Sequence, residues 1–201
     1  GCSDTFGAYQ YQERSWPYLL ADNLNTKVWN LGSCGASIQS CYYTFKAIES
    51  KIKFSDVFIL IPNPTRFAFY NYKKSWKNVH GDHLESFIGD FSVFKGLGFD
   101  EQTEKDLKIY YTLMCTDDKW QGTNITTYLD AIRGIALQHN AKLHYLFNFP
   151  YFPHPYTLSD IDREVFKSRA LDLRHSGYIY QHEVSKLFTK IVGNSNNSSY
   201  I

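Results

Sequence analysis

Two short apolar runs, each stopped by proline, dominate the hydrophobic pattern of this chain. Asp56 opens Val57-Phe-Ile-Leu-Ile61, which ends at Pro62 and Pro64, and Ala141-Lys-Leu-His-Tyr-Leu-Phe-Asn-Phe149 ends at Pro150. Continuous runs of this length suit strands buried on both faces of a parallel sheet. Thr26-Lys-Val-Trp-Asn-Leu31, ending at Gly32, predicts a further short strand. Helical spacing of three and four lies between and after these runs. It places Ile38, Cys41, Tyr42, Phe45 and Ile48 on one side of a helix over Ser37–Lys51. It also places Ile125, Leu129, Ile132 and Ile135 or Leu137 on one side of a helix over Thr123–Asn140. A shorter helix is expected over Asp106–Met114. A last one spans Tyr178–Val192, with Ile179, His182, Val184, Leu187, Phe188 and Ile191 available for packing. Residues 150–177 read as loop with one helical turn, and Asn194–Ser199 as a frayed polar tail.

Strands alternating with helices imply an α/β fold, in which right-handed crossovers cover both faces of a parallel sheet. Functional loops in that architecture gather at the carboxyl ends of the strands. Residues 32–37, 62–66 and 149–155 are therefore expected along one edge. No repeat or linker interrupts the chain, so residues 1–201 read as one domain. An irregular insertion rich in aromatics and glycine occupies roughly residues 64–104.

Composition narrows the picture. The chain is 43% hydrophobic and 20% charged, as a soluble globular domain is, and its net charge of +1 leaves no electrostatic footprint for nucleic acid or an anionic membrane. No apolar run reaches the length of a membrane span, and no signal segment opens the chain, so a cytoplasmic or virion-associated location is expected. Cys2, Cys34, Cys41 and Cys115 lack metal or redox spacing and read as free thiols. His80-Gly-Asp82-His83 falls short of a closed zinc site, so no metal or other cofactor is expected. The aromatic share is high at 17%, with 16 Tyr, 15 Phe and 4 Trp. Most of these fill the core, but Trp76, Tyr70 and Tyr72 in the insertion could stack on a sugar ring.

The candidate chemistry lies at the two ends. Ser3, within Gly1-Cys2-Ser3-Asp4-Thr5-Phe6-Gly7, is a possible nucleophile, and Asp172-Leu-Arg-His175 supplies a carboxylate and an imidazole three residues apart. A serine hydroxyl needs such a base and such an orienting group to attack at neutral pH. Taken singly, each residue also has a plain structural reading. Ser3 could be a surface serine, Asp172 and His175 a loop carboxylate and its neighbour, Gly35 a turn glycine and Asn63 a turn residue.

Together these residues resemble the SGNH (GDSL-like) hydrolases, a family of esterases, lipases and carbohydrate deacetylases with a three-layer α/β/α, flavodoxin-like sandwich. Gly1-Cys2-Ser3-Asp4-Thr5 is similar to the nucleophile block, with Cys2 where aspartate is usual. Asn30-Leu-Gly-Ser-Cys-Gly35-Ala-Ser37 is similar to the second block, whose glycine amide, here Gly35, is an oxyanion-hole donor. Asp172 and His175 match the Asp-x-x-His block, and His182 suits a second histidine common in the family. The third block normally reads Gly-x-Asn-Asp. Here Ile61-Pro62-Asn63-Pro64-Thr65-Arg66 stands in its place, closer to a divergent, often phage-encoded branch. The resemblance assigns Asn63 to the oxyanion hole and Arg66, with Trp76, to substrate binding. It also implies a strand ahead of Ser3 that has been trimmed or left unrecorded.

The implied activity is hydrolysis of a small acyl ester, acetyl foremost, on a carbohydrate, with a small-molecule or carbohydrate ester as the partner. Two alternatives remain open: a virion or surface protein that holds glycans without turnover, and acyl transfer to a sugar acceptor by the same triad.

Overall fold

A computed structural model describes residues 3–7, 11–71, 75–79, 100–103, 105–106, 109, 117–147, 163–165 and 177–195. The two proline-stopped runs form β1 (Asp56–Ile61) and β4 (Lys142–Phe147), paired in parallel from Asp56 opposite Lys142 to Ile61 opposite Phe147. Their side chains alternate between two cores, as the period of two in a strand requires. Ile59, Ile61 and Phe147, with Val57, Leu143 and Tyr145, face one cluster. Leu60 and Leu146, with Phe58, face the other. Leu60 and Ile61 are adjacent, point opposite ways and are both wholly buried.

Helices fill each cluster. On the Ile59 side, α3 (Ile38–Ile48) contributes Ile38 and Phe45, and α4 (Asp118–Gln138) contributes Ile125, Leu129, Ile132 and Ile135. Leu137, the alternative to Ile135, is exposed. On the Leu60 side, α2 (Trp16–Leu24) contributes Trp16 and Leu20, and α5 (Tyr178–Ser195) contributes Tyr180, Val184 and Phe188. The described residues thus form a mixed helix–strand fold around a two-stranded parallel sheet.

Local chemistry explains where the helices start and stop. Ser37 caps α3 in a reciprocal box with Ser40, and the Asp117 carboxylate accepts from the Trp120 amide at the head of α4. Helix α2 begins with Pro17 in its first turn and ends at Asn25, whose φ of 49° closes it in the left-handed region.

Two expectations are corrected. The stretch 26–31 joins no ladder among the described residues; it runs up as unpaired chain, held by side-chain contacts instead of sheet bonds. Within the supposedly irregular insertion, β2 (Phe67–Asn71) and β3 (Ser75–Val79) form an antiparallel hairpin, with Tyr70 opposite Trp76. Alternating aromatic and small or polar residues suit such a ribbon. Of the helix expected over Asp106–Met114, residues 106 and 109 are described and helical and the rest lie outside the described residues; residues 101–103 and 105 are also helical, and Asp100 accepts from the Thr103 amide. On α5, Val184 and Phe188 are wholly buried and Leu187 and Ile191 pack against the same cluster, as the spacing predicts; Tyr180, Gln181 and Ser185 are wholly buried beside them, and His182 is half-buried. Helix α2 and the single turn α1 (Ser3–Phe6) have no counterpart in the hydrophobic pattern. Among the described residues no helix is long and apolar enough to cross a membrane.

A buried imidazole joins the two strands near their start. His144 Nε2 lies 2.8 Å from Asp56 Oδ1, and the ring stacks on Phe58 at 4.8 Å. The hydrogen bond from His144 holds the Asp56 carboxyl below its ordinary range, against the opposing effect of burial. A depressed folded-state pKa contributes stability that is complete above the unfolded value, about 3.9, and is lost as pH falls through the folded one. Urea midpoints of the wild type should therefore decline below about pH 4, and Asp56→Asn should flatten that decline while lowering the midpoint at neutral pH. An unchanged acid limb in the variant would remove Asp56 from the account.

Candidate functional site

Ser3 lies in α1, the helical turn that Gly7 ends with a φ of 81°. Asp4, Thr5 and Gly7 are buried, while Phe6 is 42% exposed. Two separate parts of the chain grip this turn. The first is the segment leading into α3. Asn30 Nδ2 donates to the Thr5 carbonyl at 2.9 Å, and Asn30 Oδ1 accepts from the Gly32 amide at 2.9 Å. One side chain thus folds its own segment and docks it on α1. The approach is so close that a Cβ on Gly32 would stand 2.4 Å from Phe6 N and 2.6 Å from Thr5 C. Only glycine fits there.

The second grip comes from the far end of the chain. Gln181, in the first turn of α5, donates from Nε2 to the Asp4 carbonyl at 3.0 Å across 177 positions of sequence. Its Oε1 accepts from the Trp16 amide at 2.7 Å. That amide is one of the four at a helix start that have no partner inside the helix. Ser15, the residue in capping position, makes no side-chain cap of its own, so Gln181 supplies it from α5.

Three residues beyond Gly32, Gly35 turns the chain with a φ of 75°, and Ala36 N bonds back to the Ser33 carbonyl just before the α3 cap. Gly35 is half-buried, and its left-handed backbone favours glycine whatever its amide does. Beyond the end of β1, Asn63 builds a tight turn. Its Oδ1 accepts from both the amide and the hydroxyl of Thr65, at 2.9 and 2.8 Å, and its carbonyl accepts from Arg66 N at 3.1 Å. The carbonyl half of the side chain is therefore fixed within the turn, which sets the direction of the amide nitrogen. Arg66 is buried at the end of the same turn.

Gln39 ties these loops to each other. Placed in the first turn of α3, it accepts from the Ala68 amide at the start of β2 and donates to Asn124 Oδ1 at 3.3 Å. Asn124 is in the second turn of α4, whose far end leads into β4 beside Asp56. The starts of α3 and α4 and the exit of β1 thus share the carboxyl edge of the sheet, as the alternation of elements requires. One turn further on, Tyr42, Tyr43 and Tyr128 pack ring to ring. Burial, followed by the hydrogen bond with Tyr43, pushes the Tyr128 hydroxyl up. It stays protonated at neutral pH and is no base.

Of the seven residues singled out from sequence, Ser3, Gly35, Asn63, Arg66 and Trp76 lie on described backbone, and the Ser3 side chain is outside the described residues. Ser3's turn is bonded to the segment that leads to Gly35. Trp76 lies on β3, and the orientation of its side chain is outside the described residues. Asp172 and His175 also lie outside them, as do His80, Asp82 and His83. Among the described residues no group of three metal-ligating side chains occurs. Asn30, Gln39, Asn124 and Gln181 were not legible as site-building residues. A buried glutamine between Tyr180 and Val184 looks from sequence like a polar gap in an apolar stripe.

The chain matches no protein-family model, no curated protein and no solved structure.

Gly32→Ala is expected to cost about 1–3 kcal/mol in chemical denaturation, as overpacking against backbone does. Gly134→Ala, where a Cβ meets nothing within 4 Å on the exposed side of α4, should instead stabilise by about 0.5–1 kcal/mol. Equal effects of the two substitutions would contradict the close approach at Gly32.

Proposed function

We propose that this chain is a serine ester hydrolase of the SGNH type, acting on a small acyl ester of a carbohydrate. The observation that carries the reading is the 3.0 Å bond from Gln181 to the Asp4 carbonyl. It ties the turn that holds Ser3 to a helix beginning three residues after His175. A hydroxyl at one end of the chain can meet an imidazole near the other end only if the fold joins those ends. Asn30 and Gly32 add the second element by docking the loop that carries Gly35 on the same turn.

The fold reading is the three-layer α/β/α, flavodoxin-like sandwich. Its support is the division of β1 and β4 side chains between a cluster with α3 and α4 and a cluster with α2 and α5.

In this mechanism Ser3 Oγ attacks the ester carbonyl while His175 takes its proton. Asp172 orients the imidazole and stabilises its charged form. The tetrahedral intermediate carries its negative charge on the former carbonyl oxygen, facing the Ser3 and Gly35 amides and the Asn63 side-chain nitrogen. Collapse expels the alcohol, which receives the proton from His175. Water then repeats the sequence on the acyl-enzyme. Arg66, at the end of the Asn63 turn, and Trp76 on the hairpin bind the sugar portion.

A second reading, glycan binding without turnover, is favoured by one observation. Asn63 spends its carbonyl within its own turn, between two prolines, in place of the Gly-x-Asn-Asp form.

Turnover of p-nitrophenyl acetate and covalent labelling by a fluorophosphonate separate the two. For the hydrolase, Ser3→Ala should abolish both signals, and His175→Ala should lower turnover by about 10³-fold or more. Labelling that persists in Ser3→Ala, or turnover indifferent to both substitutions, rejects the reading. Arg66→Ala should raise KM about tenfold on an acetylated sugar with little change in kcat, the pattern of lost uniform binding. A fall in kcat at constant KM would instead place Arg66 at the reacting oxygen.

A further inference from the structure

We infer that Gln181 is a positioning residue for the Ser3 turn, holding α1 in register with α2 and α5 through its two amide atoms. The inference rests on the hydrolase reading and deepens it by naming what fixes the nucleophile. Gln181 is wholly buried and uses both ends of its side chain: Oε1 accepts from Trp16 N at 2.7 Å, and Nε2 donates to the Asp4 carbonyl at 3.0 Å. One rigid, planar amide therefore sets the distance between the start of α2 and the turn one residue beyond Ser3. No charge is involved, so the bridge costs little to bury once both atoms are paired.

Helices α2 and α5 meet again lower down, where Asn23 Nδ2 donates to Ser185 Oγ at 3.0 Å and lies 3.4 Å from Thr189 Oγ1, but those contacts do not reach α1. Among the described residues the turn is gripped by Gln181 on Asp4, Asn30 on Thr5 and Gly32 on Phe6, with Ser15 packed close to Gly7. Gln181 is the one that comes from the helix following His175. A displaced α1 would move the nucleophile relative to the base without touching either, and a shift near 1 Å is enough to cost about a hundredfold in rate.

The test compares Gln181→Met, Gln181→Glu and Asn23→Ala with the wild type, reading amide hydrogen exchange at residues 3–7 and kinetics on p-nitrophenyl acetate. Gln181→Met keeps the volume and removes both bonds. It should speed exchange at residues 3–7 by about tenfold or more and lower kcat roughly 10- to 100-fold with KM held within about twofold. Asn23→Ala, which loosens the same helix pair away from α1, should change neither.

Gln181→Glu separates positioning from general packing. Ionised, its carboxylate still accepts from Trp16 N but has no proton for the Asp4 carbonyl. Protonated, it donates there again. Activity relative to the wild type at the same pH should therefore recover as pH falls, read where urea denaturation shows both proteins fully folded, so that the change reports position and not loss of fold. Exchange at residues 3–7 equal to wild type in Gln181→Met, or a Gln181→Glu ratio flat with pH, overturns the inference. If Gln181→Met does not fold, the pH response of Gln181→Glu decides it alone. If the wild type shows no Ser3-dependent turnover, the hydrolase reading fails, and hydrogen exchange still judges the bridge.

Discussion

The parallel pairing of β1 with β4 imposes the constraint from which the rest of the architecture follows. Each strand buries both faces, with Leu60 and Ile61 fully enclosed on opposite sides, so each face needs its own cover. Two parallel strands cannot be joined by a tight turn, and the chain must cross back before each one begins. The crossing through α4 covers the Ile59 face, together with α3. Helices α2 and α5 cover the Leu60 face. Every crossover then starts at the carboxyl edge, which is why the beginnings of α3 and α4 and the turn after β1 are neighbours there. The location of the candidate site is thus a consequence of hydrophobic burial before any catalytic residue is considered.

Apolar packing brings the layers together but does not fix the loops along that edge. Amide side chains do this, each bridging two segments with its two ends. Asn30 bonds its own Gly32 amide and the Thr5 carbonyl, Gln39 joins Ala68 to Asn124, and Gln181 joins Trp16 to Asp4. Amides suit the task because one planar group carries both a donor and an acceptor. Buried backbone groups left without a partner cost about 1–3 kcal/mol each, so these bridges specify one arrangement of loops over others. These bridges are neutral amides, whereas the imidazole–carboxylate contacts His144–Asp56 and His139–Glu49 involve the strand start and helix end at the opposite edge.

How much of this was legible in sequence follows from the same division. Elements driven by burial announce themselves. Asp56–Ile61 and the core of 141–149 read directly as strands, and α3 and α4 follow from their spacing and from the caps at Ser37 and Asp117. Elements held by polar bridges do not. Residues 26–31 carry the composition of a strand, yet Asn30 and Gly32 dock them on α1 without a ladder partner among the described residues. Strands β2 and β3 hide in aromatic-rich sequence because Ser75–Val79 has no apolar run to mark it as the partner of Phe67–Asn71. Helix α2 has only Trp16, Leu20 and Ala21 beside Pro17 for its buried side, too few positions for a clear stripe. Within the candidate site, Ser3, Gly35 and Asn63 were visible as chemistry. The residues that aim them were not, since an asparagine or glutamine gives no sequence signal of which backbone it bridges.

That asymmetry bears on how such a site tolerates change. The turn after β1 has two prolines and an asparagine that closes on Thr65, so its shape is set locally and needs no distant partner. The Ser3 turn is the opposite case. Four residues make one turn of helix, too short to persist without outside support, and its conformation depends on Asn30, Gly32 and Gln181 from elsewhere in the chain. A locally determined turn at 62–66 and an externally held turn at Ser3 divide the candidate site into a self-determined part and a dependent part. Substitutions near residues 62–66 should then act where they are made. Substitutions on the inner side of α5 can reach Ser3 through the backbone they hold, 177 positions away in sequence.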